Sequence, residues 1–412
     1  MGDKMQVIVI GGGASGLLAS SMIAERGHDV TVLEKNEKTG KKLYITGKGR
    51  CNVTNDCSPS DFLENVVTNA KFIQSAIYGF PPEKTMETLE NYGLRLTVER
   101  GNRVFPSSNK SSDVIKTLSK ACDKAGVTTV LNAEVVSVAK NSDGKFEIKT
   151  RAGENYSSDA VVIATGGVSY PLTGSTGDGY AFAKSFGHGV VEPKPSLCPI
   201  WVKEKETAKE LEGLSLKNVE ANVFKDGRKI FSQFGKMMFT ANGISGPVVL
   251  TISAEINKTD MKNIAVSIDL KPALTTDELD KRVLGDFGKY SNKEFKNALN
   301  DLLPKKLIPV IVRLSEIPED TKVNLISSKM RKKLVNLLKN FTFNVLSLAP
   351  ISEAVVTSGG INVKEINPKT FESKLVKNLF FIGEVLDVDA YTGGFNLQIA
   401  WSTAYAVSRA LG

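Results

Sequence analysis

Histidine is nearly absent from this 412-residue chain, with only His28 and His188 present. His28 follows the first helical stretch and His188 sits between two glycines, so both read as turn residues at the surface. With so little imidazole, nucleophilic triads and histidine general bases are not expected. Cysteine is almost as scarce. Cys51, Cys57, Cys122 and Cys198 are too few and too scattered for a disulfide framework. Five residues separate Cys51 from Cys57, which fits neither CxxC nor the CxxxxC of flavin disulfide reductases. Dithiol chemistry is therefore rejected, and Cys51 reads as a small buried residue. Nothing has metal-ligand spacing, so no metal is expected. No apolar run approaches the roughly 20 residues of a membrane helix. The N-terminus enters a strand with no signal peptide, so the expectation is a cytoplasmic protein without a membrane partner. No sequence signal sets an oligomeric state.

Acidic charge is also in deficit, but only locally. Residues 194–351 carry 26 Lys and Arg against 18 Asp and Glu, whereas 1–193 carry 22 against 21 and 352–412 carry 5 against 6. The formal +8 therefore lies in the middle of the chain. Such a field can steer an anionic ligand, such as a carboxylate or a nicotinamide dinucleotide. Its sharpest cluster, Lys329-Met-Arg-Lys-Lys333, falls on an amphipathic helix whose inward face would hold Met330, Leu334, Leu337, Leu338 and Phe341. A solvated helix face is the expectation. Aromatic residues do not interleave with these cations, so no nucleic-acid partner is expected.

Glycine, by contrast, is abundant where strands end. Gln6–Ile10 reads as a buried strand running into Gly11-Gly-Gly-Ala-Ser-Gly16 and then a helix. Gly11 permits the tight turn, Gly13 lets backbone approach a pyrophosphate, and Gly16 lets helix pack on strand. The N–H groups and dipole of that helix would face the phosphates. Gly27 closes the helix. A second strand, Val30–Glu34, ends in a carboxylate 18 residues past Gly16. Glu34 can accept both ribose hydroxyls of an adenosine and would repel a 2′-phosphate. The fingerprint alone does not choose between FAD and NAD. Asp159–Gly167 is a third buried strand, ending Ala164-Thr165-Gly166-Gly167 and followed by Thr173-Gly-Ser-Thr-Gly-Asp-Gly179. Near the C-terminus, Asn378–Ile382 runs into Gly383-Glu384, and Thr392-Gly393-Gly394 opens another helix at Phe395-Asn396-Leu397. That helix would aim its N–H groups at a flavin pyrimidine carbonyl and stabilise the reduced form.

These motifs carry a specific resemblance. Lys48-Gly-Arg-Cys-Asn-Val-Thr-Asn55, Ala164–Pro171 with Thr173–Tyr180, Phe239–Pro247 and Gly383–Gln398 are similar to those of BaiN/YhiN-type bacterial flavoproteins. That family includes enzymes described as aminoacetone oxidases and as bile-acid-pathway reductases. Ala390 stands where a glycine is expected in many relatives. The resemblance covers essentially the whole chain. It implies FAD, an inserted substrate domain and redox chemistry on a small molecule. The expected fold class is α/β: a Rossmann-like FAD-binding domain of the two-dinucleotide-binding-domain flavoprotein type, with an inserted β-rich substrate domain and a small helical subdomain. The expected boundaries are 1–193 and 352–412 for the FAD domain, with 194–351 inserted (β-rich 194–271, helical 272–345).

Candidate cofactor contacts are Gly11, Gly13, Ala14, Ser15, Gly16, Glu34, Lys35, Lys42, Gly49, Arg50, Cys51, Asn52, Ala164, Thr165, Gly166, Gly383, Glu384, Gly394, Phe395, Asn396 and Leu397. Lys48 and Arg50 would stabilise flavin or pyrophosphate charge. Backbone at Val135 would meet adenine, by the same resemblance. Candidate proton carriers are Tyr170, Tyr391 and Asp387, with Asp389 beside it; Tyr391 could instead pack on the flavin and Asp387 hold its ribityl chain. Within the insert, short β runs suggest an antiparallel sheet or barrel over 197–270. Asp277–Phe287 reads as a helix with Leu279, Val283, Leu284 and Phe287 on one face. Ser291-Asn-Lys-Glu294 reads as a capping box opening a helix with Phe295, Leu299 and Leu302. Glu134–Val138 and Lys145–Lys149 read as a hairpin, and Thr128–Leu131 as the start of its sheet region.

The leading expectation is an FAD-dependent oxidoreductase with its substrate between the FAD domain and the basic insert. A small amine, or NAD(P)H acting transiently, would reduce the flavin, and oxygen or an enone-type acceptor would reoxidise it. No second GxGxxG follows a strand, so a dedicated NAD domain is not expected. The alternatives are a fumarate-reductase-like dehydrogenase, a flavin-bearing nucleic-acid-modifying or binding protein, and a non-catalytic redox sensor.

Overall fold

A computed structural model describes residues 4–412. The chain divides into two compact units, one of residues 1–196 with 350–412 and the other of residues 197–349. In the first, a five-stranded parallel sheet runs in the order Leu379–Phe381, Ala160–Ile163, Gln6–Ile10, Asp29–Leu33, Thr128–Val130. Val9 sits at the centre, level with Val162 on one side and Val32 on the other. These strands are near-continuous Val, Ile, Leu and Phe because a parallel sheet is covered on both faces. The helix Ala14–Ala24 packs against Ser111–Ala125 and against the C-terminal helix Phe395–Ala410.

Thr128–Val130 is thus the edge of the main sheet, not the start of the hairpin's sheet. Asn132 takes a left-handed backbone and donates to the Asn36 carbonyl, which turns the chain away. The separate sheet that follows contains Val135–Lys140, Phe146–Thr150 and Asn155–Ser158, all antiparallel. Both histidines are buried, contrary to the surface reading. His28 accepts from the Met5 N–H through Nδ1 and bonds the Leu411 carbonyl through Nε2, tying the two chain ends together. His188 lies 3.1 Å from the Glu365 carboxylate and 2.8 Å from the Ser373 hydroxyl. Burial lowers its pKa from the usual 6.5, with Glu365 opposing.

The second unit is a closed antiparallel barrel with helices attached. Its strands follow the order Ile200–Val202, Gly243–Ser245, Arg228–Thr240, Ser215–Lys225, Ile264–Asp269, Phe341–Leu348 and back to the first. The sixth strand therefore comes from beyond the helices. Phe341 belongs to it and not to the basic helix, which ends at Lys339. Asp226 and Gly227, at φ +49 and +77, form the left-handed pair of a type I′ hairpin turn.

The capping box lies at Thr275 and Glu278, opening Thr276–Lys289, not at Ser291 and Glu294. After Glu294 only a short 3-10 turn forms, Phe295–Asn297. Phe295 and Lys296 donate their N–H groups to the carbonyls of Thr321 and Glu319, so tertiary bonds replace helical ones. Phe295, Leu299 and Leu302 are buried nonetheless. On the preceding helix Leu279, Val283 and Phe287 face the core, but Leu284 is 52% exposed. Among the described residues no helix is long and apolar enough to cross a membrane, and no cluster of metal-binding side chains occurs.

Candidate cofactor and active site

Three glycines of the first turn have three different surroundings. Gly11 is at φ +109 and donates to the Leu33 carbonyl at 2.9 Å. A Cβ on Gly16 would stand 1.9 Å from the Gly11 carbonyl oxygen, so only glycine lets helix meet strand there. A Cβ on Gly13 would meet no protein atom within 4 Å. Its open side, at a helix N-terminus that no side chain caps, leaves room for an anion to approach backbone. Glu34 is buried beside this turn. It accepts from the Gly12 N–H at 2.8 Å and from the backbone and side-chain amides of Asn36 at 2.9 and 2.6 Å. Ala133 donates to the Glu34 carbonyl, which brings Val135 to the same end of the sheet. Lys35 turns instead to Asp178, at 2.7 Å, and to the Thr176 hydroxyl.

The chain's far end closes against this turn. A Cβ on Gly383 would stand 2.7 Å from the Ser15 hydroxyl oxygen, so the two glycine turns are neighbours. Gly383 is held at φ +71 and donates to Thr403. Next to it the Glu384 carboxylate accepts from Lys42 at 2.6 Å, Ser169 at 3.1 Å and the Thr357 N–H at 2.9 Å. Lys42 also reaches Ser169 at 2.6 Å. A side chain on Gly167 would strike Thr357, so the loop after Ala164-Thr165-Gly166 lies flat on this knot. Tyr180 is a further member that sequence reasoning missed. Its buried hydroxyl has no hydrogen-bond partner, and burial raises its pKa, reinforced by the charges of Glu384 and Asp387. The signal was present in Gly177-Asp-Gly-Tyr180: the aromatic residue falls in the first turn of the helix Asp178–Ser185.

The Lys48–Asn52 segment is contorted. Gly47, Lys48, Gly49 and Cys51 all have positive φ, which is costly for lysine and cysteine. The Cys51 thiol is fully buried and pushed up to about 12 by that burial, so it stays protonated at neutral pH. Arg50 pairs with Glu99 and Asn109 and lies 4.2 Å over the Phe105 ring. Its guanidinium therefore has protein partners already, unlike the charge-stabilising role expected for it. Asn52 differs: its side-chain oxygen is buried and has no partner, as is the Thr165 hydroxyl.

The C-terminal helix begins at Phe395 behind Gly394, whose φ is +100 and whose missing Cβ lets it lie on the Thr54 backbone. Trp401 donates to the Val53 carbonyl and Thr54 to Gln398, fixing the helix against the Lys48–Asn55 region. No side chain caps its first turn, which leaves the N–H groups around Phe395, Asn396 and Leu397 pointing outward. The Asn396 side chain clamps both the N–H and the carbonyl of Ala390, so a ligand could use its backbone only. Phe395 is buried edge-on against Phe62, 5.3 Å between centroids. Asp387 is held by Asn69 at 3.0 Å. Asp389 is fully buried between the hydroxyls of Ser358 and Ser196, which makes it a structural carboxylate and not a proton carrier. Tyr170, at φ +52, and Tyr391 are half-buried.

The first unit thus has open backbone at Gly13, two uncapped helix ends and buried unpartnered oxygens at Asn52 and Thr165, which leaves polar demand its own chain does not meet. Those features fit a dinucleotide. Residues 5–410 match the family model described as HI0933-like protein Rossmann domain. A Haemophilus influenzae protein named ribosomal RNA dihydrouridine synthase is 33% identical over 411 residues, 98% of either chain. A Clostridium scindens protein named 3-dehydro-bile acid delta(4,6)-reductase is 31% identical, again over 98% of each. Among solved structures, the open conformation of a flavocytochrome c3 fumarate reductase shares the fold at a TM-score of 0.53 and 19% identity, covering 99% of this chain and 78% of that one.

Proposed function

The chain belongs to the HI0933-like Rossmann-domain family and is an FAD-dependent oxidoreductase, and from that premise we propose that it reduces a carbon–carbon double bond conjugated to a carbonyl, specifically that of a uridine in ribosomal RNA. Dihydrouridine is uridine reduced at C5–C6, a bond conjugated to the C4 carbonyl. A 3-dehydro delta(4,6) substrate presents the same chemical class, a double bond in line with a ketone. The observation that favours RNA over a small lipid is charge. Residues 197–349 hold 25 Lys and Arg against 18 Asp and Glu, +7 of the formal +8. A concentrated positive field suits a polyphosphate backbone. The expectation of no nucleic-acid partner rested on one cluster, Lys329–Lys333, and gives way here to the charge of the whole unit.

Bound FAD supplies hydride chemistry, delivering two electrons and a hydrogen to the carbon β to the carbonyl. The residues around it supply the rest. Gly11, Gly13 and Gly16 with the helix behind them would hold the pyrophosphate, Glu34 would hold the adenosine ribose, and Val135 backbone would meet the adenine. The uncapped N-terminus of the C-terminal helix would offer partial positive charge that favours reduced flavin. The Lys42–Glu384–Thr357 knot holds the Gly383 turn in place. The carbon α to the carbonyl needs a proton, and the half-buried phenols of Tyr170 and Tyr391 are its proposed donors. NADH or NADPH would serve as the reductant, bound transiently.

The test is a single turnover. Protein reduced anaerobically with NADH or NADPH is mixed with a ribosomal RNA transcript or a bile-acid dienone. The expected result is return of the visible flavin absorbance with the transcript and a gain of two hydrogens on one uridine by mass spectrometry. Reoxidation by the dienone alone, with unmodified RNA, would reject the uridine assignment.

A further inference from the structure

We infer that the outward face of the barrel hairpin Ser215–Lys225 and Arg228–Thr240 is an RNA-binding surface, with Phe234 as a base-stacking platform between Lys217 and Lys236 on one side and Lys229 on the other, and with Arg228 on the opposite face next to the turn; this rests on the ribosomal RNA reading above. The densest basic run in the sequence is not the best candidate once its partners are considered. Within Lys329–Lys333, Arg331 forms a two-pronged pair with Asp280 and Lys333 pairs with Glu316. On the hairpin, Lys217, Arg228, Lys229 and Lys236 are all exposed, and none joins an ion pair among the described residues.

Register concentrates these charges. Leu216 pairs with Met237 and Val219 with Gly235, so a bulge places both Lys217 and Asn218 opposite Lys236. Like charges opposed across strands destabilise a sheet, and no carboxylate intervenes to relieve them. The nearby acids form no ion pair with these lysines: Glu220, directly across from Phe234, accepts from Ser232 at 2.9 Å, and Asp226 at the turn accepts from Asn263 at 2.9 Å. An anion from outside would relieve the repulsion.

Phe234 lies two residues before Lys236 and therefore on the same face of the strand. It is 59% exposed, while Met237 and Phe239 on the opposite face are fully buried in the barrel. A second bulge, between the pairs Val223–Phe231 and Phe224–Lys229, pushes Ile230 out to 49% exposure beside Arg228 and Lys229. From Lys229 to Lys236 the strand spans roughly 23 Å at 3.3 Å per residue, long enough for several nucleotides. Cations tracking a backbone with an exposed ring between them make a single-strand binding pattern. A membrane surface would not need the ring set between the charges.

The test uses the full-length, flavin-loaded protein and a ribosomal RNA transcript in filter binding across a salt series. Lys217→Gln/Lys236→Gln and Arg228→Gln/Lys229→Gln should each weaken binding at least tenfold. Each pair should also flatten the log–log salt slope by about 1.4 to 1.8, at roughly 0.7–0.9 for every phosphate no longer neutralised. Phe234→Ala should weaken binding about 5- to 150-fold with the slope unchanged, the signature of abolished stacking. Bound-flavin absorbance and the rate of reducing a small free enone should stay at wild-type values in all three. If the wild type binds RNA and the variants match it in affinity and slope, this surface is refuted while the uridine reading stands. If the wild type itself fails to bind at low salt, the uridine reading falls first.

Discussion

The two units leave polar demand unmet in different places. In the first it lies inside: Glu34 is buried at the nucleotide turn, Lys42 and Glu384 are half-buried, and the oxygens of Asn52, Thr165 and Tyr180 are buried without partners. In the second, the barrel interior is Val219, Val223, Phe239, Phe341 and Phe343, the enclosed Asp269 is matched by Lys339, and uncompensated cations stand outside. An unmet buried polar atom costs about 1–3 kcal/mol, so any partner that reached one of these three oxygens would be favoured. An exposed cation costs little, and only its crowding against others carries information. The first unit is organised for a cofactor and the second for a field.

Two substitutions one turn apart would sharpen this contrast most. Gly16→Ala places a methyl 1.9 Å from the Gly11 carbonyl oxygen, backbone that cannot yield. The expected outcome is loss of soluble, folded protein. Gly13→Val meets no protein atom at its Cβ, so the variant should fold and melt as the flavin-free wild type does but purify without yellow colour. If it kept its flavin, the open side of Gly13 would not be where the pyrophosphate lies. Lys42→Met comes next. It leaves the Glu384 carboxylate with Ser169 and Thr357 but no cation, at a cost of about 1–3 kcal/mol, with weakened flavin retention on dilution. Unchanged retention would separate the knot from the cofactor.

Legibility followed sequence distance. The glycine turns, Glu34 and the C-terminal helix were readable because each is fixed by chemistry within a few residues. The Lys42–Glu384 pair joins residues 342 apart, and His28 meets a carbonyl 383 residues away, so no local pattern announces either. Rarity and turn context made the histidines look exposed, whereas tertiary partners bury them. Ser291–Glu294 matched a capping box, but the 318–322 segment took the N–H groups a helix would have used. The basic helix at 328–339 was visible, yet which of its charges are neutralised depends on Asp280 and Glu316. The hairpin cations make no dense run because they are spread over twenty residues, and a bulge, not sequence, brings Lys217 beside Lys236.

Two smaller effects probe the contrast at its edges. His188 is buried in the first unit with its pKa lowered below 6.5. The unfolded chain therefore binds the proton more readily, and the stability it contributes is intact above pH 6.5 and fades as pH falls through the folded value. His188→Gln can keep hydrogen bonds to Glu365 or Ser373 without the charge, so it should flatten that acid limb in denaturation midpoints between pH 7.5 and 5. An unchanged limb would assign it to carboxylates instead. Arg331 in the second unit should behave otherwise. Its pair with Asp280 is two-pronged, at 2.8 and 3.0 Å, but both partners keep some exposure to water. Water already screens much of the attraction, and ordering the long arginine offsets more. Arg331→Met retains the apolar stem against the helix and should cost no more than about 1 kcal/mol, shrinking further in molar salt. A loss several times larger and indifferent to salt would mean that this pair acts as an enclosed one, like Lys339 with Asp269 in the same unit, and that water does not screen it.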